Sequence, residues 1–364
     1  MRDNLDSALR DPALCRGLLA RLKNILGDRP LTFMEVCGTH TVSIFQSGLR
    51  SLLPPSITHL SGPGCPVCVT SDAEAALFID LAKNPEIIIA TFGDLLRVPG
   101  PNGQSLKHAS ASGANVEIVY SPLDALAIAK NNPEKKVVFL GVGFETTAPT
   151  TAAAVLTAER ENINNFLLLA MHKLVPPALE TLLADEACSI DAFLLPGHVA
   201  TITGLEPFGF LAEKWRKPSV VGGFEAADIL LALCKMAEQL VNGKAVVENA
   251  YPRAVNDMGN PRAQALLAEV FETCDAPWRG LGVLPQSGLA LRSRYSCFDA
   301  QKALGLQLPN VAPIAGCKCG EILKGRLAPP RCPLFGKKCT PQNPVGPCMV
   351  STEGSCAAWF KYDI

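Results

Sequence analysis

The sequence predicts an α/β protein: two doubly wound, parallel-sheet (Rossmann-like) domains followed by an irregular, cysteine-rich third region. Three observations predict it. Short β-rich runs alternate with helical patterns from Leu31 onward and again from Lys136, and alternation at this spacing builds parallel sheets through right-handed crossovers. The 364 residues are too many for one small core. Finally, 315–362 holds six of the 14 cysteines among prolines and glycines, with little helix or strand pattern of its own.

Taken in order, Leu14, Leu18, Leu19, Leu22 and Ile25 mark an amphipathic helix that ends at Gly27-Asp-Arg-Pro30. Leu31 to Val36 reads as a buried strand running into Cys37-Gly-Thr-His40, after which Thr41 to Leu53 is helical. Ile57 to Leu60 is a strand emptying into Ser61-Gly-Pro-Gly-Cys65-Pro-Val-Cys68, and Ser71 with Glu74 forms a capping-box pattern for the next helix. Ile87 to Thr91 and Val116 to Tyr120 are two further strands. The second set comprises Val137 to Leu140, Phe166 to Ala170, Ala192 to Leu195 and Val220-Val221, each leading into a loop and then a helix. Asn260 to Thr273 reads as helical and Gly280 to Leu291 as a hairpin. The expected domains are therefore 30–125, 136–250, and a third made of 1–28 with 251–364.

Composition narrows the function classes. Apolar residues make up 48% and charged residues 18%, the balance of a globular protein. Lys plus Arg number 33 against 34 for Asp plus Glu, with no basic run, so neither nucleic acid nor an anionic membrane is indicated. No apolar run approaches the roughly 20 residues that span a bilayer. The start of the chain, with Asp3, Asp6 and Asp11, is unlike a secretory signal. The expected location is the cytoplasm, where 14 cysteines argue for metal or redox chemistry rather than a disulfide scaffold.

Cys37, Cys65 and Cys68 sit in loops after strands, where an open α/β sheet binds its ligands. Both loops run into helix N-termini, whose partial positive charge is expected to lower thiol pKa. The pair Cys65/Cys68 reads either as a reversible disulfide or as part of a thiolate metal site, with His40 as ligand or proton carrier. Glu145, after Gly141 and Gly143, and His172 and His198, after second-set strands, are expected to look across at these thiols. Glu35 lies in a buried strand and needs a partner. The spacing C-x-C-x12-C-x6-C-x8-C-x7-C joins Cys317, Cys319, Cys332, Cys339, Cys348 and Cys356. Soft sulfur ligands select zinc, copper(I) or an iron–sulfur cluster. Six sulfurs exceed one tetrahedral zinc or one four-iron cluster, which favours iron–sulfur with a surplus redox pair.

Cys37-Gly-Thr-His40, Gly62-Pro-Gly-Cys-Pro-Val-Cys68, Gly141-Val-Gly-Phe-Glu-Thr-Thr147, Pro196-Gly-His-Val199 and Gly346-Pro-Cys-Met-Val-Ser-Thr-Glu-Gly-Ser-Cys356 together resemble the HypD family of hydrogenase maturation factors. The resemblance implies a scaffold and redox protein that assembles the Fe(CN)2CO group of [NiFe]-hydrogenases with a HypC-type chaperone, cyanide being delivered from a HypE-type donor. It implies iron on Cys37, Cys65 and Cys68, with Cys37 the direct ligand, and a [4Fe-4S] cluster among the last six cysteines. Their spacing selects Cys332, Cys339, Cys348 and Cys356 as cluster ligands. The ferredoxin:thioredoxin reductase pattern that the cluster resembles would instead use Cys317 or Cys319 and place Cys356 in a disulfide. A protein-disulfide reductase of that type is the rival function, and a zinc-stabilised binding module a third.

Overall fold

The computed structural model describes residues 9–362. The first eight residues of the expected 1–28 segment and the last two of the chain lie outside the described residues.

Helix α1 (Pro12–Leu26) opens on an Asp11 cap and precedes β1 (Leu31–Glu35), α2 (Gly38–Gln46) and β2 (Ile57–Ser61). A short helix α3 (Pro66–Val69) and then α4 (Asp72–Leu81) lead to β3 (Ile87–Thr91), β4 (Val116–Ile118) and α5 (Pro122–Asn131). Next come β5 (Lys136–Gly141), α6 (Ala148–Arg160), β6 (Phe166–Ala170), α7 (Val175–Leu183) and β7 (Ala192–Pro196). The α/β part closes with α8 (Gly197–Thr203), β8 (Ser219–Gly222), α9 (Ala226–Val241) and β9 (Val247–Asn249). Helix α10 (Pro261–Val270) runs straight into the antiparallel hairpin β10 (Phe271–Trp278) and β11 (Gly282–Leu291). The cysteine block contributes helices α11 (Cys319–Leu323) and α12 (Ser355–Tyr362).

Both main sheets are parallel, with orders β2-β1-β7-β8-β9 and β4-β3-β5-β6. The sheets do not divide at the expected 30–125 and 136–250 boundaries. The chain lays down β1 and β2, builds the whole four-stranded sheet, and then returns to finish the first sheet. Side-chain burial explains the arrangement. In β1, Leu31, Phe33 and Met34 are all fully buried, so this strand needs neighbours on both sides, as parallel central strands do. It pairs Met34 with Leu60 of β2 and with Phe193 of β7. Strand β2 carries exposed Thr58 and lies at the edge.

The expected third region is likewise distributed. The N-terminal helix packs not on the C-terminal part but on α9, where Leu22 and Leu26 join Ile229, Leu233 and Met236 in one core and Arg21 pairs with Glu238 at 2.6 Å. Helix α10 and the hairpin pack on the four-stranded sheet, with Phe271, Leu289 and Leu291 in its core. The cysteine block leans on the other sheet through α12, whose Trp359 packs against Phe45 of α2 beneath the Arg50 guanidinium. The expected long helix after the Cys37 loop is broken by Gly48, which takes φ 70° between Gln46 and Leu49.

Candidate functional site

The carboxyl ends of the two sheets face each other across a cleft of about 680 Å³. Cys37 follows β1, the Gly64–Val67 turn follows β2, and Pro196 ends β7 with His198 two residues on. From the opposite sheet come Asp94 after β3, Tyr120 after β4, and Gly143 and Thr147 after β5. This is where a doubly wound sheet places its ligands. The position of Cys37 depends on a close approach of two loops: a Cβ on Gly64 would lie 2.1 Å from the Cys37 nitrogen.

Cys37 is 8% exposed and caps α2 through its backbone. The expected fall in its pKa does not occur. Burial, with the nearby Glu353 charge, pushes the thiol up to about 12, overcoming the pull of the helix N-terminus. Glu35 has the partner its burial demands: its carboxylate accepts from the Cys37 N–H at 3.0 Å and the Thr41 hydroxyl at 2.5 Å. Cys65 and Cys68 form a disulfide with each other, and the Cys65 sulfur accepts the Cys68 N–H at the start of α3. Both are buried behind the Gly64, Pro66 and Val67 wall of the cleft. Among the described residues no group of three or more His, Cys, Asp or Glu side chains is set to hold a metal ion.

Only some of the other expected residues reach the cleft. His198 does, stacked on Phe224 with ring centroids 4.0 Å apart. His40 also packs on Phe224, with ring centroids 4.7 Å apart, and is fully buried, its Nε2–H donating to the Gly223 carbonyl at 2.9 Å. Burial lowers its pKa to about 4, so it is neutral and does not carry protons into the cleft near neutral pH. Glu145 turns away, accepting the Val175 N–H at the start of α7 at 2.8 Å. Its other oxygen has no hydrogen-bond partner among the described residues, and burial raises its pKa to about 7. His172 is also buried, 3.4 Å from the Thr151 hydroxyl, with a pKa lowered to about 3 by burial and by the Lys173 charge. Sequence reasoning missed Asp94, Tyr120, Ser351 and Glu353. The last two come from the cysteine block and clamp the cleft: Ser351 donates to Asp94 at 3.0 Å, and Thr39 donates to Glu353 at 2.8 Å. The signal was present, since both lie between Cys348 and Cys356 in a motif read only for its sulfurs.

All six C-terminal cysteines line a second, internal space together with Ile322, Leu334, Phe335 and Met349. The Cys319 and Cys348 sulfurs are 2.7 Å apart and almost fully buried. The other four, Cys317, Cys332, Cys339 and Cys356, frame the remainder.

A buried thiol at a switch-point cleft, a disulfide behind its wall and a closed nest of six thiols define an α/β protein built around buried thiols. The HypD family model, described as "Hydrogenase formation hypA family", matches residues 13–363. The hydrogenase maturation factor HypD of Rhodobacter capsulatus is 45% identical over 367 residues, 98% of this chain and 97% of its own length. That of Escherichia coli is 46% identical over 336 residues, 92% of this chain and 90% of its own. A putative hydrogenase expression/formation protein of Methanocaldococcus jannaschii is 45% identical, with 97% and 98% covered. The chain belongs to the HypD family, and its role is in hydrogenase maturation.

Proposed function

We propose that this protein holds iron in the cleft on Cys37 while diatomic ligands are installed, as a scaffold for the Fe(CN)2CO centre of [NiFe]-hydrogenases. The observation that carries the reading is the place of Cys37: a buried thiol at the carboxyl edges of two opposed sheets, with open cleft before it and a disulfide behind it. Iron is the cargo, and a soft thiolate suits it. The high pKa of unloaded Cys37 means that iron displaces its proton on binding rather than meeting a standing thiolate. His198 at the rim would hydrogen-bond a cyanide nitrogen, while Gly64, Pro66 and Val67 screen the Cys65–Cys68 pair, whose disulfide accepts two electrons and two protons to become the dithiol. A HypC-type chaperone supplies the further ligand and a HypE-type protein the cyanide. The 14 cysteines, read as metal and redox ligands, support action in the cytoplasm. No helix among the described residues is long and apolar enough to cross a membrane.

The six-thiol nest fits a [4Fe-4S] group: it offers four sulfurs beyond the close pair, closed in by apolar side chains. Cys317, Cys332, Cys339 and Cys356 would hold it, leaving Cys319 and Cys348 as the redox pair, in place of the set chosen on spacing. Such a cluster supplies one-electron transfer.

Infrared spectroscopy on protein purified without oxygen, with its chaperone co-expressed, tests the scaffold. Cyanide and carbonyl stretching bands that shift with labelled cyanide precursor are expected, and Cys37→Ala removes them while cluster absorbance stays. An empty window in cluster-loaded, chaperone-bound protein overturns the reading.

A further inference from the structure

The two sulfur sites meet at Arg279, in the turn between β10 and β11. Its N–H donates to the Val69 carbonyl at 2.9 Å, its Nε to the Thr70 carbonyl at 2.8 Å, and its Nη1 pairs with Asp72 at 2.5 Å. One residue thus clasps the segment that follows Cys68. On the other side, the next residue, Gly280, lies so close to Gly320 that a Cβ on it would sit 2.2 Å from the Gly320 Cα. No residue but glycine fits there, and the contact draws Arg279 up to Cys319 at the start of α11. The guanidinium is 6% exposed, and its Nη2 has no hydrogen-bond partner among the described residues. A buried cation is costly unless opposing charge surrounds it. Asp72 is one such charge, and on the Gly320 side lies Cys319, the first residue of α11 and part of the sulfur nest.

We propose that Arg279 is a positioning residue that supplies the fixed counter-charge of the C-terminal thiolate nest, raising the reduction potential of the iron–sulfur group held there, and that pins the Cys65–Cys68 turn against it. The inference rests on the cluster reading above. Reduction adds one electron, delivered by dithionite, and breaks no bond; the added negative charge is stabilised by the guanidinium and resisted by Asp72.

The test is a dithionite redox titration of whole, anaerobically purified protein, followed by paramagnetic resonance. Arg279→Gln is expected to lower the reduced-to-oxidised ratio at fixed potential about tenfold, equivalent to ~59 mV for one electron. Arg279→Lys should restore most of the ratio, because it returns the charge without the fork. Asp72→Asn should move the ratio the opposite way, and it decides the matter if Arg279→Gln does not fold. An unchanged ratio in Arg279→Gln with a full cluster, or a fall in Asp72→Asn, overturns the counter-charge and leaves only a structural pin. Wild-type protein without iron and acid-labile sulfide overturns the cluster reading itself, and this inference with it.

Discussion

The Lys173 ammonium meets the Glu74 carboxylate inside the protein, with 3% and 0% of the two side chains exposed. The pair ties the loop after β6 to α4, the helix that follows the Cys65–Cys68 turn. Glu74 also accepts the Ser71 N–H at 2.7 Å, closing the capping box. A single carboxylate therefore sets the start of α4 and anchors it to the loop after β6.

Removing one member of such a pair leaves an uncompensated buried charge, which costs about 3–5 kcal/mol. Lys173→Met is expected to lose that much in urea unfolding. Lys173→Met with Glu74→Gln should recover part of it, since the remaining group is then neutral. Additive losses in the double variant would show that the two residues do not act as a pair.

Acid sensitivity follows from three buried groups. His40 and His172 titrate near 6.5 when unfolded but at about 4 and about 3 in the fold. The unfolded chain therefore binds more protons, so stability is full above 6.5 and is lost as pH falls toward the folded values. Glu145 runs the other way: raised to about 7, it contributes fully below its unfolded value of 4.5, and the contribution is lost as pH rises through 7. Between 7 and 4.5 the two histidines outweigh the one carboxyl, and thermal melts should fall with acid. Glu145→Gln should stabilise the protein at about pH 8 and steepen the acid loss. A melting curve running parallel to wild type at every pH would falsify this account.

Cys37 should react slowly with iodoacetamide at about pH 8, because burial and the Glu353 charge keep it protonated. Glu353→Gln removes the second cause. Its labelling rate at Cys37, read by peptide mass spectrometry, should rise several-fold at about pH 9. Equal rates would mean that burial alone sets the thiol.

In the six-thiol nest, Cys348→Ser is expected to retain iron and sulfide while losing the redox pair, and Cys332→Ser to lose the cluster. Iron and acid-labile sulfide assays on the two proteins distinguish them. The reverse pattern would return Cys348 to the ligand set that spacing suggested.

The elements were largely legible in the sequence because each is a local matter. Buried parallel strands read as apolar runs, the Ser71–Glu74 box announces α4, and the Cys37 and Cys65–Cys68 loops stand where a strand gives way to a helix. The family was legible too, since its motifs are contiguous. His40, Glu145 and His172 show the limit: each has the right place in the chain, yet its side chain points into the protein, because direction depends on what the neighbouring strand leaves open.

The sequence by itself determined the α/β class, the two groups of clustered thiols and the family the chain belongs to. Only the tertiary structure decided that β1 and β2 join β7 to β9 across an inserted sheet, since pairing depends on which strands need cover on both faces. It also decided that Ser351 and Glu353 close the cleft, that Cys37 is held protonated, and that Cys319 faces Cys348. These are contacts between residues far apart in the chain, and burial and charge act through space, where sequence spacing carries no measure of distance.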